Sequence, residues 1–301
     1  MRILVLGGTG YLGRHVVARL RALPGAQVLA AGRSPSAAFG VDLAADRPQR
    51  LAKTLAAAAP DAVVNCAGAT GGDPVTLTEV NARGPALLCA VLREAAPTAR
   101  LVHLGSAAEY GPGVPGTPVG ESAPACPVTL YGVTKLAGTV AVTTSALDAV
   151  VLRVGNPVGP GAPVANLPGR MASLLRSAGP GPGAVLRLGD LSDHRDFVDV
   201  RDVARAVALA VTAPGHLPPV LNIGGGAAVP VRELVHGLAR RAGFQGRLEE
   251  GASGSVRSAR VSWQCSDIAA AERALGWRPV HDLGDALDAL WAATGESGPV
   301  P

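Results

Sequence analysis

The stretch Ile3-Leu4-Val5-Leu6-Gly7-Gly8-Thr9-Gly10-Tyr11-Leu12-Gly13 decides the fold of this chain. Its leading apolar residues run without alternation, which suits a strand buried on both faces. Glycines follow at once, and Leu12, Val16 and Leu20 then recur with the helical period. Strand, glycine turn and helix in that order are the setting a dinucleotide fingerprint requires. Gly7 permits the tight turn, Gly10 lets backbone approach a pyrophosphate, and Gly13 lets the helix pack on the sheet. The helix N-terminus then offers free N–H groups to the phosphates. Gly7, Thr9, Gly10, Tyr11 and Leu12 are therefore candidate cofactor contacts; a glycine-rich turn without a ligand is the plainer alternative.

Further along, the strand Val28-Leu29-Ala30-Ala31 ends in Gly32-Arg33-Ser34. An acid at this place would suit the ribose 2′-hydroxyl of NAD, whereas an arginine accommodates a 2′-phosphate. Arg33 and Ser34 thus favour NADP(H), with NAD(H) as the alternative cofactor and a solvated loop arginine as the bland reading. Val41-Asp42-Leu43 reads as a short third strand, with Asp42 and Leu43 at the adenine end of the cofactor. The strand Ala62-Val63-Val64-Asn65 leads into Cys66-Ala67-Gly68, whose small side chains let backbone lie against the cofactor. A long helix over residues 75–95 carries Asn81, and Leu101-Val102-His103-Leu104 is the next strand. Such alternation predicts an α/β fold: a doubly wound parallel Rossmann sheet that binds ligands at the carboxyl ends of its strands. We expect residues 1–155 to form the dinucleotide-binding domain, with 196–223 returning to it. Residues 156–195 and 224–301 would form a smaller C-terminal substrate-binding lobe.

The chemistry is concentrated between residues 101 and 135. Ser106 stands at a strand end, and Tyr131-Gly132-Val133-Thr134-Lys135 opens a helix. Tyr131 and Lys135 lie one turn apart on one helix face. An ammonium close to a phenol favours the phenolate and brings its ordinary pKa near 10 downward. Tyr131 is then a usable acid or base, and Ser106 can hold a substrate oxygen against it. A surface Tyr–Lys pair on a helix is the competing reading of that spacing alone.

Bulk composition narrows the class. The 301 residues are 48% hydrophobic and 3% aromatic, enough for one large core and a smaller lobe. The net charge of +4 comes without a basic stripe interleaved with aromatics, so nucleic-acid binding is not indicated. Cys66, Cys89, Cys126 and Cys265 are scattered without a C-x-x-C pair and read as reduced thiols of a cytoplasmic protein. No metal ligand is assigned. No apolar run is long enough to span a membrane, and the one at residues 3–6 stops at Gly7-Gly8.

Taken with Asn156-Pro157-Val158-Gly159, Arg195-Asp196-Phe197, Asn222-Ile223-Gly224 and Leu275-Gly276-Trp277, these motifs resemble the extended short-chain dehydrogenase/reductases. The resemblance is to the branch acting on nucleotide sugars, the epimerase/dehydratase family, and spans almost the whole chain. It implies that Tyr131 is the catalytic acid/base, that Lys135 lowers its pKa and binds the nicotinamide ribose, and that Ser106 orients the reacting oxygen. Asn156, Asn166 and Arg195 match positions that hold the substrate diphosphate, and Arg260 is a further phosphate contact. For Arg195 an ion pair with Asp196 or Asp199 is the alternative, and for Asn156 a turn cap. Trp263 stands where some relatives carry an acid for the nucleotide ribose. A homodimer through helices near residues 75–95 and 130–145 is also implied.

Within the resemblance, the 4,6-dehydratases carry acids where this chain has Ala107-Ala108, which disfavours water elimination. Ala108 likewise replaces the cysteine of the 3,5-epimerising reductases. Glu109 falls one position later; alternation along an extended segment turns it to the other side, and it joins Ser106 among the expected substrate contacts. The reading that best fits these motifs is an NADPH-dependent reductase of a nucleotide-bound 4-keto-6-deoxyhexose. A 4-epimerase retaining its NAD, a ketoreductase of a non-sugar natural product and a non-enzymatic NADP-sensing regulator are the alternatives.

Overall fold

The computed structural model describes residues 1–251 and 261–296. Strand β1 (Arg2–Leu6) leads into helix α1 (Tyr11–Arg21), then β2 (Gln27–Gly32), β3 (Phe39–Gly40) and α2 (Pro48–Ala58). Next come β4 (Ala62–Asn65), α3 (Pro74–Thr78), a π-helical turn (Glu79–Arg83) and α4 (Gly84–Ala95). β5 (Arg100–Ser106) ends in a 3-10 turn (Ala107–Glu109) and is followed by α5 (Leu130–Thr143) and β6 (Ala149–Val154). Among the described residues, seven strands form one sheet in the order β3-β2-β1-β4-β5-β6, closed by a seventh strand, β10 (Val220–Ile223). Every pairing in that sheet is parallel. After β3 the chain crosses back to place β4 on the other side of β1, and the switch point between β1 and β4 is where such sheets bind ligands.

The apolar runs become central strands because both faces of the sheet are covered. On one face α1 packs against α7 (Val200–Thr212), burying Val16, Leu20, Val203 and Val207. On the other, α2, α4 and α5 cover Leu4, Val63 and Leu101. Each such aliphatic side chain contributes about 1.5–3 kcal/mol when fully removed from water. Trp277, fully buried, anchors the returning chain by donating from Nε1 to the Asp202 carbonyl oxygen at 3.0 Å.

Between β6 and β10 the chain makes β7 (Asn156–Val158), α6 (Leu167–Ala178), β8 (Val185–Leu188) and β9 (His194–Asp199) before α7. After β10 come β11 (Ala228–Pro230), α8 (Val231–Arg241), β12 (Arg247–Glu250), α9 (Ala269–Leu275) and α10 (Leu283–Glu296). β9 joins β7 in parallel and β11 antiparallel, and β8 pairs with β12. Helices α6, α8 and α10 enclose a separate apolar cluster containing Met171, Leu234, Leu238, Leu287 and Leu290.

Two local expectations are corrected. The third strand is Phe39–Gly40, paired with Ala31 and Gly32, and not residues 41–43. Past Gly40 the chain turns inward: Val41 and Leu43 enter the core, while Asp42 Oδ1 accepts from Ala44 N at 3.0 Å in a tight Asx turn. The helix expected over residues 75–95 is interrupted by the π turn, which carries Asn81.

Candidate active site

The glycine turn after β1 fits a pyrophosphate. Gly7 has φ +71, and a Cβ there would lie 2.7 Å from the Ala67 nitrogen, so the loops after β1 and β4 meet backbone to backbone. A Cβ on Gly13 would fall on the Gly7 carbonyl oxygen, which holds α1 against the turn. Thr9 and Gly10 are exposed at the crest, with Tyr11 and Leu12 half-buried behind them. The N-cap of α1 is Gly10, with no side chain to cap the helix, and its first turn holds no acid. Its N–H groups and positive dipole end are thus available to an anion. These residues fit the phosphates of a dinucleotide. Arg33 is exposed on the loop after β2, and the Ser34 hydroxyl bonds to that of Ser36 at 2.8 Å. Leu43 is packed in the core beside α2 and α4.

Two buried Asn side chains hold the loop after β4. Asn65 Oδ1 accepts from Ala67 N at 3.1 Å, and its Nδ2 meets His103 Nδ1 at 3.2 Å. Asn81 accepts from Ala69 N at 2.9 Å, donates to Ala69 O at 2.8 Å and donates to Thr134 Oγ1 at 3.2 Å. The π turn therefore presents Asn81 to both the Cys66-Ala67-Gly68 loop and helix α5. Burial pushes the Cys66 thiol up to about 12 and holds His103 neutral well below its usual range.

Ser106 ends β5, and its Oγ accepts from Ala108 N at 3.2 Å, leaving the hydroxyl proton to donate elsewhere. Helix α5 is capped by the Thr129 side chain, which accepts from Gly132 N at 3.1 Å. Its first turn abuts the turn after Ser106, since a Cβ on Gly132 would meet Ala108 O. Tyr131 is half-buried in that first turn. Lys135, one turn along the helix, is buried and donates from Nζ to Leu104 O at 2.5 Å. Burial brings its pKa from 10.5 down to about 8, opposed by Glu109 and Cys66.

The substrate-side expectations fare unevenly. Asn156 donates from Nδ2 to Asp196 O and to Gln264 Oε1, both at 3.2 Å. Asn166 is the N-cap of α6 without a side-chain cap bond. Arg195 is paired with Asp193 at 2.9 Å, and not with Asp196 or Asp199. Asp196 instead accepts from Gly225 N, Gly226 N and Ser266 N. Arg260 lies outside the described residues. Glu109 is corrected: the segment after Ser106 is a 3-10 turn and not an extended one, and it turns the carboxylate inward to zero exposure. Its Oε1 accepts from Ser106 N at 2.7 Å and its Oε2 from Arg153 Nε at 2.8 Å. His103, Arg153 and the Tyr110–Asn222 hydrogen bond (2.8 Å) were not legible as a unit, because their partners are remote in sequence.

Residues 3–224 match the sequence profile of the family described as "NAD dependent epimerase/dehydratase family". The chain belongs to that family. It is an NAD(P)-dependent oxidoreductase of the extended short-chain dehydrogenase/reductase type, acting on a nucleotide sugar. This family member is 40% identical to the dTDP-6-deoxy-L-talose 4-dehydrogenase (NAD(P)(+)) of Kitasatospora kifunensis, over 97% of this chain and 95% of that one. It superimposes on MoeE5 in complex with UDP-glucuronic acid and NAD with a TM-score of 0.84 and 26% identity, covering 98% of this chain and 99% of that one. The RMD structure from Pseudomonas aeruginosa complexed with NADPH has the same fold, with a TM-score of 0.82 at 24% identity and coverage of 97% and 98%. Among the described residues no helix of this epimerase/dehydratase family member is long and apolar enough to cross a membrane.

Proposed function

We propose that the enzyme interconverts the 4-keto and 4-hydroxy forms of a dTDP-linked 6-deoxyhexose, acting as an NADPH-dependent 4-ketoreductase. The observation that carries this reading is the packing of α5 on β5, where Lys135 is tied to Leu104 and Gly132 abuts the turn that begins at Ser106. Ala107 and Ala108 occupy that turn, and both oxygens of its one carboxylate, Glu109, are taken by Ser106 N and Arg153, so no acid stands ready for eliminating water. A relative named as a 4-dehydrogenase, 40% identical over 97% of the chain, supports both the position oxidised or reduced and the nucleotide.

When bound, the nicotinamide cofactor supplies the hydride that makes the new C4–H bond. Ser106 donates its hydroxyl proton toward the sugar O4 and aligns it. Tyr131 gives its phenolic proton to O4 as that oxygen gains charge, so one hydride and one proton convert the ketone to the alcohol. The Lys135 ammonium, one turn along α5, supports the negative charge left on the phenol. In the oxidative direction the same phenol receives the proton back. Arg33, exposed beyond β2, would take the 2′-phosphate of NADPH as a guanidinium fork.

The test is consumption of NADPH at 340 nm with dTDP-4-keto-6-deoxyhexoses. Turnover that is faster with NADPH than NADH supports the reading; a clear preference for NADH contradicts it. The likeness to MoeE5 with its NAD favours a second reading, a 4-epimerase that retains its cofactor. Purified protein carrying stoichiometric NAD and turning over without added cofactor would establish that one instead.

A further inference from the structure

Glu109 closes the 3-10 turn after Ser106 and has no exposed surface. The carboxylate is held at both ends, by the Ser106 amide at 2.7 Å and by Arg153 Nε at 2.8 Å. Ser106 returns the contact through its own side chain, which accepts from Ala108 N, so the two residues cap one another. Arg153, on the neighbouring strand β6, places its guanidinium 4.4 Å from the centre of the Tyr110 ring. Tyr110 in turn donates to Asn222 on β10 at 2.8 Å. Gly105 makes the room: a Cβ there would come within 2.8 Å of Glu109 Oε1 and 2.7 Å of Val151 Cγ1.

A buried ion pair of this kind adds little net stability compared with apolar residues of the same shape. Its location says more. Charge interactions couple Lys135 to Glu109 of the 3-10 turn, to Cys66 after β4 and to His103 on β5. Of the other elements packed on α5, the π turn carries Glu79 and Arg83, α4 carries Cys89, Arg93 and Glu94, and β6 carries Arg153; Tyr131 lies on α5 itself. Burial keeps the Cys66 thiol protonated and His103 neutral. Glu109 Oε1 stands beside Gly105, the residue that follows Leu104, whose carbonyl oxygen takes the Lys135 ammonium; from there Glu109, and after it Cys66, holds the Lys135 pKa up against burial.

We infer that Glu109 is a positioning residue of the active site: its carboxylate, locked between the Ser106 amide and Arg153, fixes the serine for the substrate oxygen and supplies the counter-charge of Lys135. The inference rests on the roles given to Ser106 and Lys135 above. It assigns no proton transfer to Glu109, whose two oxygens are both committed.

Lys53 and Lys135 are the two lysines of the chain, and Lys53 is exposed. Protein labelled with 13C-lysine therefore gives two titrating Cε signals by NMR, and Lys53→Arg assigns them. We expect the Lys135 midpoint at about 8 in the native chain and about one pH unit lower in Glu109→Gln. Should Glu109→Gln fail to fold, the double variant Glu109→Gln, Arg153→Met leaves no unpaired buried guanidinium and carries the same measurement. In turnover, Glu109→Gln should lower kcat about tenfold to a hundredfold, with KM changed less, and move the alkaline limb of the kcat profile to lower pH.

An unchanged Lys135 midpoint in a folded variant overturns the inference, as does an unchanged kcat profile. Failure of the native protein to reduce any keto sugar would overturn the proposed reaction instead. The lysine titration needs no turnover and would still decide the role of Glu109.

Discussion

The ammonium of Lys135 donates a 2.5 Å hydrogen bond to the main-chain oxygen of Leu104, which ties α5 to strand β5 of the sheet. A charge buried between helix and strand is costly to the fold, and in the proposed reaction it supports the Tyr131 phenol. Both consequences can be measured.

Burial takes the Lys135 pKa from 10.5 to about 8 in the folded chain. Between those values the unfolded state binds the extra proton, so stability rises with pH across that window. Below it the full cost of the buried charge is present, about 3 kcal/mol at roughly 1.4 kcal/mol per pKa unit. Lys135→Met removes that cost and loses a hydrogen bond worth about 1 kcal/mol. The variant should be inactive yet more stable than the native chain at neutral pH, with the advantage fading as pH approaches 10. Urea unfolding at both pH values checks this; a variant that is less stable at neutral pH contradicts it.

Arg33→Asp should weaken NADPH binding about tenfold to a hundredfold, because it replaces the guanidinium proposed to take the 2′-phosphate with a charge of the phosphate's own sign. NADH binding should hold or improve, because an acid suits the ribose 2′-hydroxyl. Fluorescence titration of the two reduced cofactors reads the ratio. Equal NADPH affinity in variant and native protein would remove Arg33 from the cofactor site.

Gly13→Ala drives a methyl group into the Gly7 carbonyl oxygen. The turn and helix must separate, at a cost of about 1–3 kcal/mol. We expect a lower melting temperature together with loss of cofactor binding. A variant that melts normally and binds NADPH normally would show that the turn does not need this close approach.

The large sheet was legible because parallel strands covered on both faces appear as unbroken apolar runs, as in residues 3–6 and 101–104. The glycine turn was legible because its demands are local. Strands β7, β8, β11 and β12 were not read, being three or four residues long and paired across distant sequence. Hydrophobicity points to the wrong residues for the third strand: Val41 and Leu43 are apolar because they enter the core, whereas Phe39–Gly40 makes the ladder. Glu109 departs from its expected face for a related reason. Period-two alternation assumes an extended chain, and the 3-10 turn rotates the carboxylate inward to a partner on another strand. Arg195 found Asp193 two residues away, a choice among nearby acids that sequence cannot make.

In the proposed reaction the Tyr131 phenol delivers the proton that accompanies hydride transfer. Single-turnover reduction of a dTDP-4-keto-6-deoxyhexose by NADPH, compared in the native protein and Tyr131→Phe, isolates that step. We expect the rate to fall about a hundredfold or more, with NADPH affinity kept within a few fold. An undiminished rate in Tyr131→Phe would take the proton transfer away from Tyr131.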